Sequence, residues 1–169
     1  MKIVIVGCGR VGATLAADLD SHGHVVTILD ISTRAFDRLP STFRGNAIRG
    51  DGTDEDTLRR AGAADADVFM ALTEGDNRNV MAAQLAVEAL EVGRVVAKIN
   101  DPVRAEAYAE LGIATICRTD LMTYSLLGYM GLPAGPAPTV REAAPHPHPG
   151  TPSAVAAGAA VGAPPAEEA

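Results

Sequence analysis

Tryptophan is absent from the 169 residues, phenylalanine and tyrosine occur three times each, and aromatics total 4%. A core must therefore be assembled from Val, Ile, Leu and Ala, which the 47% apolar content permits. Lysine is nearly absent too, occurring only as Lys2 and Lys98, and 14 basic residues stand against 21 acidic ones for a net charge of -7. Tracking a phosphate backbone takes clustered Lys and Arg, so nucleic acid is not an expected partner. The two cysteines, Cys8 and Cys117, form no metal-binding spacing, and Met1-Lys2 leads into a strand pattern without a signal-peptide layout. No run reaches 18 continuous apolar residues, which excludes a helical membrane span. The expectation from these absences is a soluble cytoplasmic protein of one domain.

What is present is a regular alternation. Short apolar runs at Ile3 to Val6, Val25 to Leu29, Ala47 to Arg49, Val68 to Leu72, Val95 to Ile99 and Ala114 to Ile116 read as strands. Helical patterns separate them at Val11 to Leu19, Thr33 to Leu39, Asp54 to Ala61, Asn77 to Glu91 and Val103 to Glu110, and Asp120 to Met130 closes the series. The strand runs are nearly all apolar rather than alternating, as in parallel strands covered on both faces. Six such strands joined by helices predict an α/β fold, a doubly wound Rossmann-like sheet ordered 3-2-1-4-5-6, over residues 1–130. From Gly131 to Ala169 the composition shifts to Pro, Ala and Gly, with nine of the eleven prolines and no lysine. That stretch lacks periodicity and large side chains, and residues 131–169 are expected to be a disordered tail. His146 and His148 fall there without further ligands nearby, so no metal site is assigned.

The glycines of "GCGRVG" fall where the first strand hands over to the first helix, a context that makes the pattern specific. Gly7 permits the tight turn, Gly9 lets backbone approach a pyrophosphate, and Gly12 lets helix and strand pack closely. The free N–H groups and positive dipole end of the helix would then face an anion. Cys8, Arg10 and Val11 complete the turn, Arg10 as a candidate phosphate cation and Cys8 as a small packing side chain rather than an activated thiol. Asp30 ends the second strand 18 residues after Gly12. It can accept bonds from ribose hydroxyls, favouring NAD or an adenine nucleotide over NADP, or it can cap the following helix. In "GDGT", Asp51 and Gly52 follow the third strand, where the adenine passes in this fold, while Thr53 is a candidate cap for the helix after it. Thr73 and Glu74 follow the fourth strand on the ligand-binding edge, and Asp76 reads as an N-cap. Lys98 ends the fifth strand, either as a cation for phosphates or as a solvated strand-end residue.

A dehydrogenase needs a proton donor near the hydride and commonly a substrate domain. His22 and His24 sit in the turn before the second strand, and neither lysine follows a tyrosine at the Tyr-x-x-x-Lys spacing. No catalytic residue is assigned. Nucleotide binding without turnover is the reading, with a small NAD-dependent oxidoreductase or a stand-alone NAD(H) redox sensor as alternatives.

Three blocks, "KIVIVGCGRVGATLAADLDSHGHVVTILDIS", "GDGTDEDTLRRAGAADADVFMALTEGDNRNVMAAQLA" and "VVAKINDPVRAEAYAELGI", resemble the N-terminal domain of regulators of potassium conductance, the TrkA/KtrA type, from Lys2 to about Leu127. The resemblance implies a cytoplasmic subunit, peripheral to the inner face of the cell membrane, that binds NAD(H) or ATP/ADP. Its implied partners are a membrane potassium transporter subunit and further copies of itself in a homodimer or ring. By the same resemblance Gly7 to Gly12 cradle phosphates, Asp30 holds the ribose and Asp51 lies near adenine. Thr73, Glu74 and Lys98 line the remainder of the site. Many relatives continue into a second ligand-binding domain where this sequence turns Pro/Ala-rich, which points to pairing with a longer paralogue.

Overall fold

A strand that is apolar on both faces is stable only between two layers, and the strand KIVIV meets that demand: Ile3 to Val6 are each at most 3% exposed. A computed structural model describes residues 1–143 of the chain. Its strands are β1 (Lys2–Val6), β2 (Val25–Asp30), β3 (Asn46–Arg49), β4 (Val68–Ala71), β5 (Val95–Ile99) and β6 (Ala114–Cys117). They form one parallel sheet ordered β3-β2-β1-β4-β5-β6, as the alternation of elements predicts. The order reverses between β1 and β4, which opens a crevice at their carboxyl ends.

Side chains of β1 divide between the two layers. Ile3 and Ile5 pack with Ala13 and Ala16 of helix α1 (Arg10–Ser21) and with Val26 and Ile28. Val4 and Val6 pack on the other face with Leu29, Phe69 and Ala71 and with Leu58 of helix α2 (Glu55–Arg60). A third cluster joins β5 to helices α3 (Asp76–Gln84) and α4 (Pro102–Glu110) through Val80, Ala83, Ala97, Ile99 and Ala105. Phe69 is the largest fully buried side chain, and otherwise small aliphatic residues fill the interior.

Several elements differ locally from their sequence expectation. Thr33–Arg38 is a 3-10 helix rather than an α-helix. The last turn of the long helix after β4 widens into a π-helix at Leu85–Ala89. Asp54, not Thr53, caps α2: its carboxylate accepts from Thr57 N at 3.0 Å and from the Thr57 hydroxyl. Asp76 is the first residue of α3 and caps nothing there, because the cap position belongs to Gly75. Helix α5 (Arg118–Tyr129) follows β6 directly and has no buried residue. Beyond it, residues 131–143 contain neither helix nor strand, but Arg141 makes an antiparallel bridge to Thr115 of β6. The tail expectation for residues 144–169, including His146 and His148, lies outside the described residues.

The tightest joint in the fold is between α1 and β1. A Cβ placed on Gly12 would overlap the Gly7 carbonyl oxygen, and neither atom belongs to a side chain that can swing away. Gly12→Ala is therefore expected to lower the unfolding free energy by about 1–3 kcal/mol or more. The midpoint of urea denaturation should fall accordingly, and a variant as stable as the parent would refute the packing role.

Candidate functional site

The turn from β1 to α1 is shaped by what surrounds its glycines. Gly7 has φ 104°, a left-handed conformation, and a Cβ there would meet Thr73 N at 2.8 Å and the Leu72 carbonyl carbon at 2.9 Å. Gly7 thus lets the end of β1 lie against the backbone leaving β4. Gly9 is different, since nothing lies within 4 Å of where its side chain would be. It is also the cap residue of α1, with no side-chain cap bond and no acidic residue in the first turn. The N–H groups of Arg10, Val11 and Gly12 therefore have no intrahelical partner. This end carries the partial positive charge of the helix dipole with no acidic residue in its own first turn.

Asp30 stands beside that end. One carboxylate oxygen accepts from Cys8 N and the other from Ser32 N, each at 2.8 Å. The first bond ties β2 to the glycine turn, and the second makes a short turn ahead of Thr33–Arg38. An ionised carboxylate has about four acceptor sites, so two bonds leave capacity for a ligand hydroxyl. Ribose contact and local structural bonding are compatible at this residue.

Across β1, Asp51 accepts from Thr53 N at 2.9 Å and from the Thr53 hydroxyl at 2.8 Å. These bonds, the backbone one first and then the hydroxyl, hold its carboxyl below the ordinary value, with Arg78 adding a smaller attraction. Thr53 thus serves Asp51 rather than the helix. Gly52 is required by packing, because a Cβ there would overlap the Val6 side chain.

On the far side of the crevice, Thr73 and Lys98 lie at the ends of β4 and β5. The Thr73 hydroxyl donates to Asn79 Oδ1 at 2.6 Å, so the fold already engages it. Glu74 is exposed. Lys98 is only 7% exposed, which rules out a solvated strand end, and its ammonium makes no hydrogen bond or ion pair among the described residues. Burial depresses its pKa, the Arg118 guanidinium depresses it further, and Glu74 and Asp76 partly oppose both. Asp76 instead anchors the next loop, accepting from Asn100 N at 3.0 Å and Asn100 Nδ2 at 2.7 Å. Asn100 Oδ1 is left as a buried acceptor without a partner.

Two residues escaped the sequence reading. Asn79 is fully buried and bonded to both Thr73 and Lys98, and Arg78 lies near Asp51. An asparagine among apolar positions of the α3 pattern was the available signal for the first. The structure thus brings the glycine turn, Asp30, Asp51, Thr73, Glu74 and Lys98 to one sheet edge. His22 and His24 sit at the opposite, amino-terminal edge, where His24 Nδ1 is 3.4 Å from the Met1 amino group. Concavity alone does not pick out the carboxyl edge. A shallow depression of about 540 Å³ runs from Arg10 and Val11 along α1 to Asp18, and one of about 510 Å³ lies between Met70, Val96, Ala114 and Val140. The case for the carboxyl edge rests on hydrogen-bonding groups instead.

An open doubly wound sheet with an uncapped helix end behind a glycine turn defines an α/β domain of the dinucleotide-fold class. The family model of the TrkA-N domain matches residues 3–119, and the chain belongs to that family. It is 44% identical over 142 residues to the Trk system potassium uptake protein TrkA of Streptomyces coelicolor, covering 84% of this chain and 63% of that protein. The chain thus spans less than two thirds of that relative. Among solved structures, the Shewanella denitrificans Kef CTD in AMP bound form shares the fold with a TM-score of 0.62 at 24% identity, covering 79% of this chain and 84% of that one. GsuK bound to ADP does so with a TM-score of 0.60 at 22% identity, covering 75% of this chain and 33% of that one. No helix of the described residues is long and apolar enough to cross a membrane, and no group of three or more His, Cys, Asp or Glu among them forms a metal site.

Cys8, fully buried within the turn, donates weakly to Ala35 O at 3.4 Å. Burial first, and then the Asp30 carboxylate, push its thiol from 9.0 up to about 11. Its thiol should therefore resist a disulfide reagent at pH 8 in the folded protein and react on unfolding. Between pH 9 and 11 the unfolded chain releases a proton that the folded one keeps, so this group makes stability fall as pH rises through that window. Fast native-state labelling at Cys8, mapped by mass spectrometry, would overturn the assignment.

Proposed function

We propose that the chain is a nucleotide-binding regulatory subunit of a potassium uptake system, taking NAD(H) or ATP/ADP at the carboxyl edge of its sheet. The observation that carries this reading is the end of α1. Three backbone N–H groups there have no intrahelical partner, no described residue lies within 4 Å of where a Gly9 side chain would be, and the Asp30 carboxylate is fixed at Cys8 N. A pyrophosphate or phosphate suits the N–H groups and a ribose the carboxylate. Adenine then lies toward Asp51 and Gly52, and the rest of the nucleotide toward Thr73, Glu74 and Lys98. The adenine nucleotides named for the Kef and GsuK proteins are compatible with this, and the potassium role rests on the Streptomyces relative.

The oxidoreductase reading gains no support from the histidines, since His22 and His24 occupy the wrong edge of the sheet. Regulation instead requires that the nucleotide bind two states of an assembly unequally. In this proposal the subunit works on the cytoplasmic face of the membrane, beneath a potassium transporter subunit and alongside copies of itself or a longer paralogue. Helix α5 is the surface for a second copy: Leu121, Met122, Leu126 and Met130 are exposed at 36%, 58%, 56% and 58% on a helix that buries nothing in its own chain.

Two experiments test the proposal. Asp30→Ala should weaken binding of NADH and ATP about tenfold or more in titration calorimetry, the loss expected for a hydrogen bond to a charged group. The variant should stay folded by circular dichroism, and unchanged affinity would remove the ribose assignment. Met122→Lys with Leu126→Lys should shift sedimentation toward the monomer without moving the melting midpoint, because neither side chain is buried within the protomer. An unaltered sedimentation profile would remove α5 from the interface.

A further inference from the structure

The hydrogen-bonded ladder between β4 and β5 stops at the pair Ala71 and Ala97. Just beyond it, where the strands diverge toward the crevice, the next backbone groups are not left to water. Asn79 projects from α3 into the gap, fully buried. Its Oδ1 accepts from Thr73 N at 2.8 Å and from the Thr73 hydroxyl at 2.6 Å. Its Nδ2 donates to Thr73 O at 3.0 Å and to Lys98 O at 2.7 Å. The amide thus uses its two acceptor and two donor sites in full. It replaces the missing rungs of the ladder while holding the two strand ends apart.

Each strand end also has a neighbour on its other side. β4 is also held by β1, through Leu72 N to Val6 O at 2.7 Å and through the close approach of Gly7 to Thr73. β5 is held on its outer side by β6, through the pairs Lys98 with Ile116 and Ile99 with Cys117, so what Asn79 fixes at Lys98 is the spacing from β4. The Lys98 ammonium has no hydrogen bond or ion pair among the described residues, and Arg118 repels it. Where no partner holds a buried side chain, its backbone sets its place. At Lys98 the carbonyl anchored by Asn79 lies on the crevice side of the last β4–β5 ladder pair.

We propose that Asn79 is the positioning residue of the nucleotide site. It spaces the ends of β4 and β5 and thereby sets Lys98 and Glu74 against the part of the nucleotide beyond the first phosphate. This rests on the nucleotide reading above and adds to it a division of the site into two separately supported halves. The half made by the glycine turn, Asp30 and Asp51 is braced by β1 and β2. The half made by Glu74 and Lys98 is braced by β6 on its outer side and by Asn100 at Glu74 O, and Asn79 alone spans its gap to β4. A buried asparagine serving stability alone would affect every ligand alike, whereas a positioning residue affects only ligands that reach its half.

The test compares AMP, which reaches only the first half, with ATP and NADH, which reach both. Calorimetry on the full chain with Asn79→Ala should leave AMP affinity within about twofold and weaken ATP and NADH by about tenfold, the effect of losing a buried polar anchor. Asn79→Asp keeps the shape and the acceptor but not the donor to Lys98 O, and it carries the same comparison if the alanine variant does not fold. An equal loss for all three ligands, or no loss for any in a folded variant, overturns the positioning role. If the parent chain binds ATP and NADH but Lys98→Met leaves them unaffected, the second half is misassigned while the nucleotide reading stands. A parent chain that binds none of the three sinks both.

Discussion

The site depends on a contact between two pieces of backbone. Because Gly12 has no side chain, the first turn of α1 rests on the Gly7 carbonyl, and because Gly7 has none and adopts φ 104°, that turn rests in turn on Thr73. Three strand ends are registered by this arrangement. β1 supplies the turn, β4 is the surface it lies on, and β2 is drawn in through Asp30 to Cys8 N. The helix end consequently stands at the point where the strand order reverses, and no described residue lies within 4 Å of where a Gly9 side chain would be. Packing and ligand chemistry make the same demand here, since the glycines that let helix and strand touch also leave backbone N–H groups accessible.

A protein with a net charge of -7 would be an unexpected host for the phosphates of the proposed ligand, but the relevant field is local. The α1 end lacks an acidic residue in its first turn, Arg10 begins that helix, and Lys98 lies at the end of β5, two strands from β1. The acids at this edge are mostly occupied: Asp30 by two backbone donors, Asp51 by Thr53, Asp76 by Asn100. Each of these carboxylates is partly neutralised by its hydrogen-bond donors, which limits how far it repels an incoming anion. Lys98 pays for its burial with a depressed pKa, and an anion beside it would offset both the desolvation and the Arg118 repulsion.

What was legible in the sequence follows from which forces leave a linear trace. Continuous Val, Ile and Leu runs record strands buried on both faces, so the sheet and its order could be read directly, as could the three glycines of the turn. Capping left a more ambiguous trace. In "GDGTDED" three residues are competent to cap α2, and the choice of Asp54 over Thr53 is made because Asp51 recruits the Thr53 hydroxyl. Asp76 has the composition of a cap, yet its carboxylate reaches a loop 24 residues away at Asn100. Asn79 is the instructive omission. Helical periodicity marks its position as inward-facing, but only three-dimensional knowledge that the β4–β5 ladder ends at Ala71 and Ala97 reveals four backbone or hydroxyl groups needing partners there.

The two ends of the sheet are built to different standards. Around β1 and β4 both faces are covered and the strand residues are almost fully buried. Toward β6 the covering thins. Among the described residues, α5 buries nothing, Ile116 is only partly buried, and the outer edge of β6 meets a single bridge from Arg141, reinforced by its 2.7 Å ion pair with Asp120. An exposed strand edge is a template for pairing, and one bridge blocks it only locally. Local opening free energies track buried apolar contact, so this end is the less costly one to move. Asn100 joins it to the crevice, bonding Asp76 and Glu74 O through its side chain while its carbonyl accepts from Thr119 of α5 at 2.5 Å. On the proposed reading, a ligand in the crevice rests on the rigid half and reaches the α5 end, which resists re-packing least, through Asn100.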